Sequence, residues 1–161
     1  MIPLHPAIVH FPPVLLISAA VLYVIGLIRK NAQLETIGFF FHAAGLLACI
    51  AAIFTGDYEA DRIAQNTAIH EIVERHEFFV MLATYGFGML GIWAFLRQKS
   101  EIAIEKIGFV VLFVALTGFL GFGAHLGGDM VFGEGAGVVP MQEQIKMNPY
   151  IDNLNDESDE K

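Results

Sequence analysis

The chain has 161 residues, of which 55% are hydrophobic and 16% charged, and its formal net charge at neutral pH is −8. A soluble domain carries about 25% charged residues, so this composition argues against an ordinary soluble fold. The chain has no basic patch, which excludes a nucleic-acid partner, and its single cysteine, Cys49, excludes a disulfide framework.

Four long stretches without Asp, Glu, Lys or Arg predict four membrane-spanning helices. With their flanks, these are residues 11–29, 36–56, 77–97 and 106–126, each close to the roughly 20 helical residues that cross a bilayer. The predicted fold class is therefore all-α, a transmembrane four-helix up-down bundle within residues 1–139, with an acidic outer loop. Residues 140–161 form a polar, acidic tail that we expect to be disordered. The amino terminus lacks the basic segment of a cleavable signal, so we expect the first stretch to remain as a span.

Basic residues set the predicted orientation. They flank the two short loops, after span one and between spans three and four, as Arg29, Lys30, Arg97, Lys99 and Lys106. The positive-inside rule makes these loops cytoplasmic. We therefore expect an integral protein of the bacterial inner membrane with both termini, and the loop 57–76, on the periplasmic side.

Five of the six histidines fall at the predicted outer level of the bundle. They are His5, His10, His70, His76 and His125. Imidazoles that converge from several helices form metal sites, so all five are candidate metal ligands, and His10, His76 and His125 are candidate axial ligands of a haem. Headgroup water also solvates histidine at this depth, so an incidental interfacial position is the alternative, above all for His5 and His70.

His42 is the exception, because it is predicted to lie inside span two, where an ionisable side chain is uncommon and usually faces the bundle interior. It is a candidate metal or haem ligand near the inner face, with Met89 of span three at comparable depth as a partner. A hydrogen bond to another helix would satisfy it without any cofactor.

Small residues recur around His42 and His125. One face of span two holds Gly38, Gly45, Cys49, Ala52 and Gly56, and one face of span four holds Gly118, Gly121 and Gly128. Close helix packing explains such stripes. A flat macrocycle beside an axial imidazole also needs a groove, which makes Gly45 and Gly121 candidate haem-binding positions. No C-x-x-C-H motif occurs, so the haem predicted is of the b type.

Two segments lie outside the spans. In "HFPP", Pro12 and Pro13 predict the start of a helix, and we expect extended backbone before it to fix the direction of His10. The segment "GGDMVFGEGAGVV", residues 127–139, is predicted to leave span four as a glycine-rich loop that could fold back over the outer histidines. It lacks the G-x-x-x-x-G-K-[ST] pattern of a phosphate site.

Several of these pieces together resemble a known family. They are "LHPAIVHFP" at the start, "TGDY" after span two, a histidine leading span three and "GGDMVFGEGAGV" after span four. Over residues 1–139 the chain resembles domain-of-unknown-function family 2231, predicted four-helix membrane proteins. By position the resemblance marks His5, His10, Asp57, His76, Gly127 and Gly128. Some members are fused to Rieske-type iron–sulfur domains, which implies electron transfer.

The chain departs from this family at one histidine. The family often ends in Tyr-x-His-Gly-x-Gly-Val, where this chain has Phe132 and Glu134. A ligand role for that histidine is therefore absent here. His125 is the candidate to replace it, and Glu134 could contribute only a carboxylate. His42 lies outside the family pattern.

The predicted function is that of a membrane b-type cytochrome-like electron-transfer subunit. We expect one or two haem b groups, the outer one held near the periplasmic face by two of His10, His76 and His125. Electrons would pass between a quinone, or another redox partner in the lipid bilayer, and a periplasmic electron carrier.

Two other functions stay open. One is a non-haem site for Zn, Cu or Fe, its shell completed by acidic residues, namely Asp57, Glu59, Asp61 and Glu77. The other is a structural or assembly subunit of a larger membrane complex. Gly-x-Ser-x-Gly and His-Glu-x-x-His motifs do not occur, so a subunit is favoured over a stand-alone enzyme.

Overall fold

The computed structural model describes residues 4–63, 67–97 and 102–135, and these form five helices with no strand among them. The helices are α1 (His5–Ile8), α2 (Phe11–Arg29), α3 (Ala32–Ile63), α4 (Thr67–Leu96) and α5 (Ala103–Phe132). The predicted all-α fold class is confirmed. Of the remaining predictions, the acidic tail and Lys99 lie outside the described residues.

Four segments are long and apolar enough to cross a membrane. They are His5–Arg29, Ala32–Asp57, His70–Leu96 and Ala103–Phe132. Helices α2 and α3 pack closely as one hairpin and α4 and α5 as another, and the looser contacts α3–α4 and α2–α5 join the hairpins. This is the neighbour order of an up-down bundle.

Aromatic rings fill the centre of the bundle. Phe87, Phe109 and Phe113 are fully buried, and the Tyr23 ring meets Phe109 and Phe113 edge-on at centroid distances of 4.9 and 5.0 Å. Large apolar side chains also point outward, for example Met89, which is 68% exposed. An apolar exterior around a packed core suits a bundle whose solvent is lipid.

The helices turn sharply between α2 and α3. Lys30 adopts a left-handed conformation (φ 49°), and its N–H donates to the carbonyls of Gly26 and Leu27, which ends α2. The Asn31 side chain then accepts from the backbone N–H groups of Gln33 and Leu34 at 2.9 and 3.2 Å. Asparagine at this position caps the start of a helix, so a two-residue connection closes the first hairpin.

Charged residues gather at the same end of the bundle. Lys106 Nζ lies 3.6 Å from Glu35 Oε2, and the Arg97 guanidinium lies 4.0 Å above the Phe109 ring. These contacts connect the starts of α3 and α5 with the end of α4. We call this the Asn31 end, and the opposite end, where α1 lies, the rim end.

The backbone differs from the prediction in three places, all at the rim end. Residues 5–8 form a helical turn, and His10, which precedes α2, has helical backbone angles (φ −78°, ψ −24°), so the expected extended backbone is wrong. Pro6 stands in the first turn, where its missing N–H costs nothing. For the loop 57–76 the sequence predicts a helix in the second half only, where α4 indeed starts at Thr67, but α3 also runs on into the first half as far as Ile63. The predicted glycine-rich exit loop is helical as far as Phe132.

Candidate functional site

All five helices contribute to one pocket at the rim end, which we call the rim pocket. Its volume is about 150 Å³. Most of its wall is apolar, and two imidazoles and two carboxyl groups border it, those of His5, His76, Asp57 and Glu77. Segments that are distant in sequence therefore meet here. They include parts of "LHPAIVHFP" and "TGDY" and the histidine that leads span three.

His5 reaches the pocket because α1 lies against α3. Its Nδ1 is 3.2 Å from Thr55 Oγ1, and that hydroxyl lies 3.0 and 3.1 Å from the carbonyls of Ala51 and Ala52. A threonine hydroxyl has one proton to donate, and the helix carbonyls can only accept. Thr55 therefore accepts from the His5 Nδ1–H, which leaves the lone pair of the neutral ring on Nε2.

Gly56 makes room for this ring. A Cβ at position 56 would lie 2.9 Å from His5 Cε1, closer than carbon atoms approach one another in proteins. Thr55 and Gly56 therefore position His5 together: Thr55 orients the imidazole by a hydrogen bond, and Gly56 leaves space for the ring.

His76 is held in the same way from the other side of the bundle. Its Nδ1–H donates to the Gly123 carbonyl at 2.7 Å; the carbonyl can only accept, so the lone pair of the neutral ring again lies on Nε2. The ring packs on Gly127, where an added Cβ would lie 3.2 Å from Cε1. Histidines that bind metals show this arrangement, with the second nitrogen bonded to a backbone carbonyl.

The three remaining outer histidines, His10, His70 and His125, do not line the rim pocket with His5 and His76. His10 is exposed at the start of α2 and lies outside the pocket lining. His70 and His125 are also exposed, and each pairs along its own helix, with Glu74 at 3.2 Å and Asp129 at 3.5 Å. His125 misses the pocket because it lies one residue, or about 100° of helix, beyond Ala124, which lines it.

The structure offers no ready-made site for a bare metal ion within its described ranges. Nowhere in residues 4–63, 67–97 and 102–135 do three or more His, Cys, Asp or Glu side chains come together at metal-binding distance. Of the acids predicted to complete such a shell, Asp57 and Glu77 border the pocket. The side chains of Glu59 and Asp61 lie outside the described residues.

His42 is 1% exposed and engaged at both ring nitrogens. Its Nε2–H donates to the Phe87 carbonyl at 2.9 Å, and its Nδ1 accepts from the Tyr23 hydroxyl at 3.5 Å. Iron could bind this ring only if one of these bonds broke, and the predicted partner Met89 points outward. The cross-helix hydrogen bond, one of the two explanations that the sequence left open, is what the structure shows.

The two glycine stripes differ from one another. On α3, a Cβ at Gly45 would lie 2.7 Å from Leu16 Cγ, and one at Gly38 would lie 3.2 Å from the Tyr23 ring. Side chains of α2 therefore occupy the groove, as the packing explanation requires. On α5, a Cβ at Gly118, Gly121 or Gly128 would meet nothing within 4 Å, so that stripe is open surface.

The rim pocket has the two imidazoles that a haem b could use as axial ligands, but its volume is small for a porphyrin. Iron in a porphyrin leaves two axial positions for the protein, and His5 and His76 are two imidazoles beside one pocket. The cavity of about 150 Å³ is smaller than the roughly 300–1,000 Å³ of pockets for drug-sized ligands. An apolar cavity of about this size admits benzene, so the size of the rim pocket suits a single ring better than a macrocycle.

Sequence reasoning missed how the pocket is held. The Gly123 carbonyl is a backbone group, which no sequence motif indicates. Thr55 is part of the "TGDY" motif, but the motif does not indicate that its hydroxyl would bind a histidine. The sequence favours His10 over His5 as a ligand, but His5 borders the pocket and His10 does not. A signal was present in the spacing of His5 and His10, which puts them on different faces once the intervening residues turn.

Comparison with known proteins gives one finding. A family model described as "Predicted membrane protein (DUF2231)" matches residues 1–140. Neither the curated proteins nor the solved structures contain a match.

Proposed function

Because the chain belongs to the DUF2231 family of predicted membrane proteins, we propose that it acts in the bilayer as an electron-transfer subunit whose redox molecule is held at the rim pocket. One observation supports this most. Two imidazoles from different parts of the chain, His5 and His76, border the same pocket, and each has its Nδ1 tied to a fixed oxygen.

This arrangement suits redox chemistry for a physical reason. A neutral imidazole nitrogen can accept a hydrogen bond, take up a proton or bind a metal. Its Nδ1 partner fixes the tautomer and the ring orientation, so the basic nitrogen keeps one position. The apolar remainder of the wall limits water around whatever binds, which strengthens polar interactions there.

The proposed orientation follows from charge. Basic residues lie at the Asn31 end, among them Arg29, Lys30 and Lys106, and the positive-inside rule assigns that end to the cytoplasm. The rim pocket then faces the periplasm of a bacterium, where a soluble electron carrier could approach it. A quinone or another membrane partner would reach it through the lipid.

Purified protein provides the test. The protein is extracted from its native membranes into nanodiscs, a reduced-minus-oxidised optical spectrum detects haem, and chromatography of an organic extract detects quinones. We expect a redox molecule at near one per chain, and His76→Ala to lower its amount or affinity about tenfold or more, the scale of perturbing a ligand site. His125→Ala is the matched control, an exposed histidine at the same end, and should retain the molecule.

Two results would contradict the proposal. One is wild-type protein that holds neither haem nor quinone after gentle extraction. The other is an equal effect of His76→Ala and His125→Ala. Either outcome would favour the alternative function, a structural or assembly subunit of a larger membrane complex.

A further inference from the structure

The size of the rim pocket narrows the class of ligand. A volume of about 150 Å³ matches apolar cavities that accept a single six-membered ring. Its wall is apolar on most sides, with residues such as Val73, Val80 and Leu120. A flat carbocyclic ring would therefore find shape and solvent properties suited to it.

The polar groups of the wall add a second requirement. His76 lines the pocket, and its neutral ring has the lone pair on Nε2 because its Nδ1–H donates to the Gly123 carbonyl at 2.7 Å. A ligand that matches this nitrogen must donate a hydrogen bond, as a ring hydroxyl does. The imidazole of His5 is a second polar group at the same cavity, and the carboxyl groups of Asp57 and Glu77 also border the cavity.

The position of the pocket adds a third requirement. Two of its lining residues, Met81 and Ala124, are exposed on the outer surface of segments that are apolar enough to cross a membrane. The cavity therefore has a side that opens toward the surroundings of the bundle. A ring with an apolar tail could enter there and leave its tail in lipid. The unbranched, polarisable side chains of Met81 and Met130 can adapt to such a tail.

From these three requirements we infer that the rim pocket binds the ring of a lipid-soluble hydroquinone, with His76 Nε2 accepting a hydrogen bond from one ring hydroxyl. This inference rests on the proposed function, since it names the molecule held at the same site. It accounts for a cavity that is too small for a macrocycle and yet is bordered by two oriented imidazoles.

The binding test uses the full chain in nanodiscs of synthetic, quinone-free lipid. Decyl-benzohydroquinone, kept reduced with ascorbate, is titrated by calorimetry, and decylbenzene is the matched probe without hydroxyls. We expect saturable binding of one hydroquinone per chain, tighter than that of decylbenzene. His76→Ala should weaken hydroquinone binding about three- to tenfold, the net contribution of one hydrogen bond, and leave decylbenzene binding unchanged.

A blocking variant provides a second readout. Ala124→Phe adds a ring at an exposed lining position and should abolish hydroquinone binding. Ala115→Phe adds the same ring at an exposed position earlier in α5, outside the pocket lining, and should not. Far-ultraviolet circular dichroism confirms that both variants fold.

Three outcomes would overturn the inference. They are no saturable hydroquinone binding to the wild type, equal binding of hydroquinone and decylbenzene, and no effect of His76→Ala. The proposed function fails on a different measurement, because protein from native membranes that holds haem but does not bind hydroquinone would retain the electron-transfer role and exclude only this ligand.

Discussion

Gly45 and Gly121 give the sharpest mutational comparison, because the sequence marked both as haem-binding positions and the structure places them in opposite surroundings. An alanine Cβ at Gly45 would lie 2.7 Å from Leu16 Cγ and 2.8 Å from Leu16 Cδ2. Leu16 is 0% exposed, so it has no free space to move into. At Gly121 a Cβ would meet nothing within 4 Å.

The magnitude follows from two opposing terms. Replacing glycine by alanine inside a helix stabilises it by about 1 kcal/mol, and this gain is the same at both positions. At Gly45 the Cβ must move about 1 Å from Leu16 to reach ordinary contact, and such overpacking costs about 1–3 kcal/mol. The Gly45→Ala variant should therefore be less stable than Gly121→Ala by about 1–3 kcal/mol, since the helix term cancels.

Unfolding in mixed micelles measures this difference. The free energy of unfolding is followed by circular dichroism as the fraction of dodecyl sulfate rises, with wild type, Gly45→Ala and Gly121→Ala in parallel. Equal stability of the two variants would refute the claim that α2 side chains fill the glycine face of α3. A loss of haem absorption in Gly45→Ala without a loss of stability would instead support the macrocycle groove.

Two further predictions concern the histidines. His42→Phe keeps a ring in the core but leaves the Tyr23 hydroxyl without the imidazole it bonds to, so the free energy of unfolding should fall by about 1–3 kcal/mol in the same micelle assay; an unchanged value would contradict this account. Gly127→Ala places a Cβ 3.2 Å from the His76 ring and should weaken hydroquinone binding in nanodiscs. Gly128→Ala, whose Cβ meets nothing within 4 Å, should not weaken it, and an equal effect would count against the geometry.

The membrane-spanning helices could be predicted from the sequence because each depends only on a continuous stretch of apolar residues. A stretch of about 20 residues without charge has one stable place, a helix across the bilayer, and hydropathy alone locates it. Helix ends are set by finer balances. The sequence predicts a glycine-rich loop from residue 127 onward, but α5 continues to Phe132.

The site was less predictable, since it depends on which face of each helix turns inward. His10 and His125 sit at the expected level, but both point away from the pocket, and level is all that the sequence fixes before the helices are packed. The sequence marks His42 and His76 as candidate ligands, and their hydrogen-bond partners in the structure are the carbonyls of Phe87 and Gly123. Backbone groups are present at every position, so no sequence pattern identifies these two as the acceptors.

Nitrogen-15 NMR of histidine-labelled protein in nanodiscs tests the central claim most directly, because it reads the tautomer of each neutral ring. We expect opposite tautomers for His42 in the core and His76 at the rim pocket, with the proton on Nε2 in His42 and on Nδ1 in His76. The resonances are assigned with His42→Phe and His76→Ala. Added hydroquinone should then shift the His76 Nε2 resonance and leave His42 unchanged. A proton on Nε2 of His76, or a His76 resonance that does not shift when hydroquinone is added, would contradict the proposed role of His76.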